Sequence, residues 1–362
     1  MTMINQDNIT SEFQHLKEFD GFQPYGDQRL IPTFKGWHAV LQRQVIVRLL
    51  PSSVEEIDSI QRRTLKTLMH QVIHLYHPGM IKWFKFEEIS LQNNRYFCLI
   101  NEWFSNESLK DWLVLYGSLN EENVVLTAEH AITVLQYYWN QCRLAHGNLN
   151  PENILVDKEG NLKIDKFGFT SLLMLIAWKG QEGSIGTPAG MAPELRSASA
   201  KPNNLSDIYA LGMTLACLLT GLQIAQREQQ QSESHVQANM PDHVPMSLEM
   251  GEIISHMTAA RPEDRFPSWE AVHAAIKRYE QSHEISMDPK KKTQTIRIPV
   301  YKKNPVGISG AAKNPVSSLG FKGFKNAGVA GTSTKIKPVV KIKTPKLKEP
   351  IPDPTKNEQG GP

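Results

Sequence analysis

Cysteine is scarce in this chain, with only Cys98, Cys142 and Cys217 among its 362 residues. The three lie far apart in the sequence and form no CxxC pair. Disulfide frameworks and zinc sites both need more cysteines at closer spacing. The sequence therefore argues against either kind of site, and a reducing cytoplasm is the expected location.

The chain also lacks a secretory signal and a clear membrane span. Met1 to Asn8 is largely polar, without the charged and then apolar order of a signal peptide. The longest mostly apolar run, Tyr209 to Ala225, is 17 residues long and contains two glycines, two threonines and a glutamine. It follows Ser206 and Asp207, which are typical helix-capping residues. We expect a buried helix there and no membrane span.

Acidic and aromatic residues become rare near the C-terminus. From Ser286 to Pro362 there are 16 Lys and Arg, 4 Asp and Glu, three aromatic residues and 10 of the 22 prolines. The preceding residues carry 24 basic and 33 acidic side chains. A segment of this composition buries too little apolar surface to offset its ordering entropy. Residues 284–362 are therefore predicted to be a disordered basic tail.

The tail has three interpretations that composition does not separate: a solvated linker, a segment that contacts an anionic surface, or a segment that docks on the acidic body. Nucleic acid is the least favoured partner, because few aromatic residues are interleaved with the basic ones.

Two segments of different periodicity precede the tail. Residues 19–103 combine β-branched and aromatic runs, such as Val45 to Leu50, with one helical stretch from Val54 to Leu75. Residues 104–283 show apolar residues three and four positions apart, which is helical spacing. The sequence predicts a small sheet-rich unit, then a mainly helical unit, with residues 1–18 as an N-terminal extension.

Five motifs follow one another in the second unit. Residues 146–155 read HGNLNPENIL, 162–168 LKIDKFG, 186–194 GTPAGMAPE, 206–212 SDIYALG and 261–265 RPEDR. In order and spacing they resemble the catalytic loop, metal loop, activation-segment end, central helix and late arginine motif of Ser/Thr protein kinases. The resemblance covers Phe19 to Tyr279. It implies an α+β, two-lobed protein-kinase-like fold over residues 19–283, with a β-rich N-lobe (19–103) and a helical C-lobe (104–283).

The catalytic positions depart from the family pattern. Asn148 stands where the resemblance places the aspartate that accepts the substrate proton, and a neutral amide has no useful basicity. Asn150 replaces the loop lysine. Lys166 replaces the metal-loop aspartate, and its positive charge opposes a divalent cation. Asn153, the second metal ligand of the family, is retained.

The N-lobe departs in the same way. Arg48, in the run VIVR, replaces the lysine that presents itself to the phosphates, and Leu68 falls at the position of that lysine's glutamate partner. No GxGxxG stretch precedes Arg48. Gly36 is the nearest candidate for a degenerate phosphate loop, although a lone glycine more often marks a turn.

The residues that support the fold match the family. The resemblance implies that His146 and Phe167 belong to a hydrophobic column through both lobes. It implies that Asp207 orients the backbone of the catalytic loop, in addition to any capping role. Glu194 and Arg265 are expected to form a buried ion pair in the C-lobe.

Three hypotheses follow, and the first is a pseudokinase: a binding, scaffolding or regulatory module that needs no cofactor or metal and acts on a protein partner such as a true kinase. The second is a divergent active Ser/Thr kinase that uses Asp165, although the alternation of side chains along an extended segment predicts that Asp165 faces away from the site. The third is a nucleotide sensor in which Arg48, Asn153 and Lys166 hold ATP without magnesium.

An apolar run, SLLMLIAW at residues 171–178, occupies the expected activation segment. If this run were exposed to solvent, it would form a large hydrophobic surface patch of the kind that marks interaction sites. We expect it to pack into the cleft, onto a partner, or onto the helical lobe.

Overall fold

A computed structural model describes the main body of the chain in two lobes. Its described residues are 19–25, 31–51, 59–91, 94–105, 107–168, 190–196, 200–221, 246–283, 285, 295–296 and 340–341.

The N-lobe is built on a five-stranded antiparallel sheet in the order β1-β2-β3-β5-β4. The strands are β1 (Phe19–Pro24), β2 (Thr33–His38), β3 (Arg43–Pro51), β4 (Trp83–Leu91) and β5 (Asn94–Glu102). Residues of β3 and β5, such as Val47 and Ile100, are fully buried in a core of their own. The predicted apolar runs therefore form the centre of the sheet.

One helix, α1 (Ser59–His74), packs against this sheet. Leu65, Met69 and Val72 are buried at helical spacing, and they join the main core of the molecule. The sequence pattern predicts a start at Val54, and residues 52–58 lie outside the described ones.

The C-lobe is mainly helical. Its helices are α2 (Leu109–Tyr116), α3 (Glu121–Cys142), α4 (Asn204–Thr220), α5 (Leu248–Met257) and α6 (Trp269–Ser282). A small sheet of β6 (Glu107–Ser108), β7 (Ile154–Val156) and β8 (Leu162–Ile164) lies at the junction with the N-lobe. A bridge between Met80 and Ile164 links the two lobes at that point.

Helix α4 is the buried helix that the apolar run predicts. Every residue from Ser206 to Leu219 is buried. The N-cap itself is Asn203, whose side chain accepts from the backbone N–H groups of Leu205 and Ser206, and the Ser206 hydroxyl accepts the Asn203 N–H in return. Asp207 lies inside the first turn and is used elsewhere. None of the described helices is long and apolar enough to cross a membrane.

Little of the predicted tail is described. A pair of two-residue strands, β9 (Thr295–Ile296) and β10 (Val340–Lys341), forms an antiparallel ladder there. The rest of residues 284–362, apart from Ile285, lies outside the described residues, as does the N-terminal extension 1–18.

Candidate ligand cleft between the lobes

An ion pair joins the two lobes inside the cleft. Arg48, on β3, donates through Nη2 to Oδ2 of Asp165 at 2.5 Å and through Nη1 to Oδ1 of Asn101 at 3.0 Å. The side chains of Arg48 and Asp165 are only 9% and 8% exposed. The guanidinium is thus engaged by side chains of the protein itself.

The prediction that Asp165 faces away from the site is wrong. Alternation of side chains applies to extended backbone, whereas the next residue, Lys166, has φ = 61° in the left-handed region. The chain turns sharply there, and Oδ1 of Asp165 accepts the Lys166 backbone N–H at 2.8 Å. Burial raises the pKa of the Asp165 carboxyl, but the charges of Arg48 and Lys166 outweigh burial and leave the pKa below its ordinary value. Asp165 is therefore an ionised carboxylate in the cleft.

Lys166 lies half-buried beside this pair. Burial lowers the pKa of its ammonium group, Asp165 opposes the shift, and Arg48 adds to it. A cation at this point repels a divalent metal ion. Among the described residues, no group of three or more His, Cys, Asp or Glu is placed to hold a metal.

The catalytic-loop amides bind one another. Asn150 donates to the backbone oxygen of Asn148 at 3.2 Å and to its side-chain Oδ1 at 3.0 Å. Asn153 donates to the Asn148 backbone oxygen at 2.8 Å. The Oδ1 atom of Asn153 is buried and has no hydrogen-bond partner in the described part of the chain. The three amides brace the loop and supply no base.

Asp207 holds the backbone of the same loop. It accepts the N–H groups of His146 at 2.6 Å and of Gly147 at 2.8 Å. Burial raises the pKa of Asp207 to about 7, against the opposing effect of these two donors.

His146 and Phe167 meet edge to face, with ring centroids 5.9 Å apart, and both are fully buried. Nδ1 of His146 accepts the Asn148 N–H, so Nε2 carries the proton and donates to the Asp165 carbonyl oxygen at 2.8 Å. Burial lowers the pKa of His146 to about 4, which keeps the ring neutral.

Glu194 and Arg265 form a bidentate ion pair in the C-lobe. Arg265 donates through Nη1 to Oε1 of Glu194 at 2.7 Å and through Nη2 to Oε2 at 2.8 Å. Arg265 is buried and also donates to the carbonyl oxygens of Leu205, Ala259 and Ala260. The Glu194 side chain is 24% exposed, so only the arginine side of the pair is fully buried.

Leu68 and Gly36 are the two remaining N-lobe positions that the sequence analysis singles out. Leu68 is half-buried on α1, a helix with no acidic residue, so no carboxylate on this helix pairs with Arg48. Gly36 is not part of a phosphate loop. It lies within β2 opposite Val45, and a Cβ there would come within 2.1 Å of the Phe22 ring. The glycine makes room for that ring.

Two further contacts involve residues that the sequence analysis does not single out. The Tyr25 hydroxyl donates to the Ser105 carbonyl oxygen at 3.4 Å, and burial, with a smaller effect from Asp165, raises the pKa of Tyr25. Nζ of Lys35 lies 3.9 Å from the ring centroid of Trp103. The polar Asn101 in the apolar run YFCLIN was the one available signal. Residues 169–189, including the apolar run 171–178, lie outside the described residues.

Comparison with known proteins decides the family. The family model described as protein kinase domain matches residues 35–276, about two thirds of the chain.

The chain belongs to the protein kinase family. Serine/threonine-protein kinase PrkC of Bacillus subtilis (strain 168) is 26% identical over 246 residues, which make up 66% of this chain and 37% of PrkC. CBL-interacting protein kinase 8 of Oryza sativa subsp. japonica is 30% identical over 150 residues, 40% of this chain and 31% of the relative. This kinase-family chain spans about a third of the length of the curated relatives it matches.

A solved structure confirms the two-lobed kinase fold. The kinase domain of Mycobacterium tuberculosis PknI superimposes with a TM-score of 0.53 at 19% identity, covering 72% of this chain and 96% of that domain. At this identity the likeness concerns the fold alone.

Proposed function

We propose that this kinase-family chain is a pseudokinase, a regulatory or scaffolding module that binds a protein partner and transfers no phosphate. The observation that carries the proposal is the engagement of Arg48 by Asp165 and Asn101. The one basic residue at the phosphate-presenting position is neutralised within the protein. Asn148 as the proton acceptor and Lys166 at the metal position point the same way.

Nucleotide binding is unfavourable for the same reason. For Arg48 to reach a phosphate it must leave Asp165, and an uncompensated buried carboxylate costs several kcal/mol. The sequence predicts three nucleotide-binding residues, Arg48, Asn153 and Lys166. With Arg48 engaged and Asn153 neutral, Lys166 is the one cation of the three that remains for a phosphate. No cofactor is expected, and ATP without magnesium is the weaker alternative.

The position of Asp165 favours one second candidate, a divergent active kinase. A carboxylate does face the cleft, one residue from the metal position, and its lowered pKa keeps it charged. In such an enzyme Asp165 would exchange Arg48 for a magnesium ion.

Two measurements on the purified full chain separate the candidates. Thermal unfolding with ATP, with and without magnesium, detects binding, because a ligand at a hundred times its Kd stabilises by about 2.7 kcal/mol. Transfer of labelled phosphate to a general protein substrate detects turnover. We expect no thermal shift and no transfer. Transfer that Asp165→Ala abolishes would establish the divergent kinase, and a shift without transfer would establish a nucleotide sensor.

A further inference from the structure

The outer face of α1 forms a shallow groove away from the cleft. The groove has a volume of about 550 Å³ and is lined by Ser59, Arg62, Arg63, Lys66, Thr67 and His70. Every lining side chain is polar, and every one that carries a charge at neutral pH is basic. We call this surface the α1 groove.

Spacing places the basic residues on one side of the helix. Arg63, Lys66 and His70 stand at positions i, i+3 and i+7, which share a helix face, and all three are exposed. The 16 residues of α1 contain no Asp or Glu that could neutralise them along the helix. Ile60, three residues before Arg63 on the same face, is 75% exposed. The face therefore combines two cationic side chains, Arg63 and Lys66, and the imidazole of His70 with one apolar residue at its start.

The neighbouring strand limits the width of this basic surface. Glu88 on β4 pairs with Arg62 at 3.0 Å and with Lys66 at 3.4 Å, and Glu87 pairs with Lys85 at 3.0 Å. A broad anionic surface, such as a bilayer or a nucleic-acid backbone, would bring phosphates against these two glutamates. A narrow ligand that follows the helix axis can reach Arg63 and also Lys66, whose side chain is 52% exposed although it pairs with Glu88.

We propose that the α1 groove binds an acidic, extended peptide segment of a protein partner. From Arg63 to His70 the helix rises about 10.5 Å, which equals the length of about three residues of extended chain at roughly 3.3 Å each. Three or four consecutive acidic residues span this length, so their carboxylates can meet Arg63, Lys66 and the His70 imidazole, and a neighbouring apolar residue can meet Ile60. The proposal goes beyond the pseudokinase assignment and does not depend on it, because the groove lies outside the cleft.

The ion pair in the cleft does not involve α1. Arg48 is tied to Asp165 rather than to a carboxylate on α1. The helix is therefore not held to the cleft by that charge pair, and its outer face is available to a partner without disturbing the pair.

The test uses the full chain and a fluorescein-labelled peptide with four consecutive glutamates beside one isoleucine. Fluorescence anisotropy should show binding that weakens with salt. The double variant Arg63→Glu/Lys66→Glu should weaken binding at least tenfold. A matched control, Lys158→Glu/Lys201→Glu, makes the same charge change at exposed C-lobe positions and should stay within twofold of the unmodified protein.

Lysine acetylation of the unmodified protein, read by mass spectrometry, gives an independent measurement that needs no variant. The peptide should protect Lys66 and leave Lys158 reactive, and the matching peptide with glutamines should protect neither. Equal losses in both double variants, or no protection of Lys66, would overturn the proposal. So would phosphatidylserine vesicles or a single-stranded DNA 20-mer that protect Lys66 better than the peptide at equal charge concentration.

Discussion

Arg48 and Asp165 neutralise each other across the cleft, with Nη2 and Oδ2 2.5 Å apart and both side chains nearly buried. The arginine comes from β3 and the aspartate from the segment after β8, so the pair also ties the N-lobe to the C-lobe. A cleft that fills its own charged positions needs no ligand to hold its lobes together.

A double-mutant cycle tests this pair. Asp165→Leu alone leaves a buried guanidinium uncompensated, which should lower the free energy of unfolding by about 3 to 5 kcal/mol. Arg48→Met alone leaves the buried Asp165 carboxylate without its partner, which should lower the free energy of unfolding by a similar amount. The double variant Arg48→Met/Asp165→Leu should recover most of the loss, because apolar residues of similar volume often replace a buried pair at little cost. Urea denaturation measures all three. The pairing would be contradicted if each single variant lost less than about 1 kcal/mol of unfolding free energy and the double variant lost the sum of the two.

The loop contact of Asp207 predicts a separate loss. In Asp207→Asn one of the two oxygens becomes an NH₂ group, which faces either the His146 or the Gly147 N–H and cannot accept from it. One buried donor is left unsatisfied, at about 1 to 3 kcal/mol. Asn203→Ala, which removes the cap of the same helix, should cost about 1 kcal/mol and serves as the comparison. Amide hydrogen exchange at His146 or Gly147 should accelerate in Asp207→Asn and not in Asn203→Ala.

Local signals in the sequence account for the elements that were predicted well. Helix α5 (Leu248–Met257) lies in the stretch with predicted helical spacing, residues 104–283, because its apolar spacing and its Ser247 cap are both carried by consecutive residues. The apolar run from Val45 to Leu50 lies inside β3 for the same reason. The motifs likewise fix the family, since each is a short stretch in a set order.

The remaining features depend on contacts between distant residues. Gly36 was read as a turn or loop glycine, but its reason is the Phe22 ring, which arrives from another strand. The predicted orientation of the Asp165 side chain is wrong because no local sequence signal indicates that the Lys166 backbone adopts the left-handed region. The partner of Arg48 is 117 residues away in the sequence. The sequence shows which residues differ from the family pattern, but only the fold shows which residues neutralise one another.

Three buried histidines predict that the folded protein loses stability in acid. Burial lowers the pKa of His77, His130 and His146 to about 4, from 6.5. Because their pKa values are depressed in the folded protein, the stability they contribute is present above pH 6.5 and is lost as the pH falls towards 4. Each contributes a slope of up to about 1.4 kcal/mol per pH unit in that window.

Two carboxyls act in the opposite direction. Burial raises the pKa of Asp207 to about 7 and raises that of Glu280, so both favour the folded state as the pH falls. Because the three imidazoles outnumber the two carboxyls, unfolding near pH 5.5 takes up protons on balance. Urea midpoints measured between pH 7 and 5 should therefore fall with acidification. A midpoint that rises over this range would show that the histidines are not neutral in the folded protein.

Restoring a magnesium nucleotide site requires at least four changes, even with Leu68 and the absence of a GxGxxG stretch left as they are. Asn148→Asp, Lys166→Asp and Arg48→Lys return the family residues, but a lysine at position 48 would still face the Asp165 carboxylate and be captured by it. Adding Asp165→Ala frees that lysine for a phosphate. We expect the quadruple variant to gain a thermal shift with ATP and magnesium, and no shift with ATP alone, because the new carboxylate at position 166 needs the metal to offset phosphate repulsion. The triple variant that keeps Asp165 should show a smaller shift, and the variant that keeps Lys166 should show no magnesium dependence. Equal shifts in the triple and quadruple variants would show that Asp165 does not block the site.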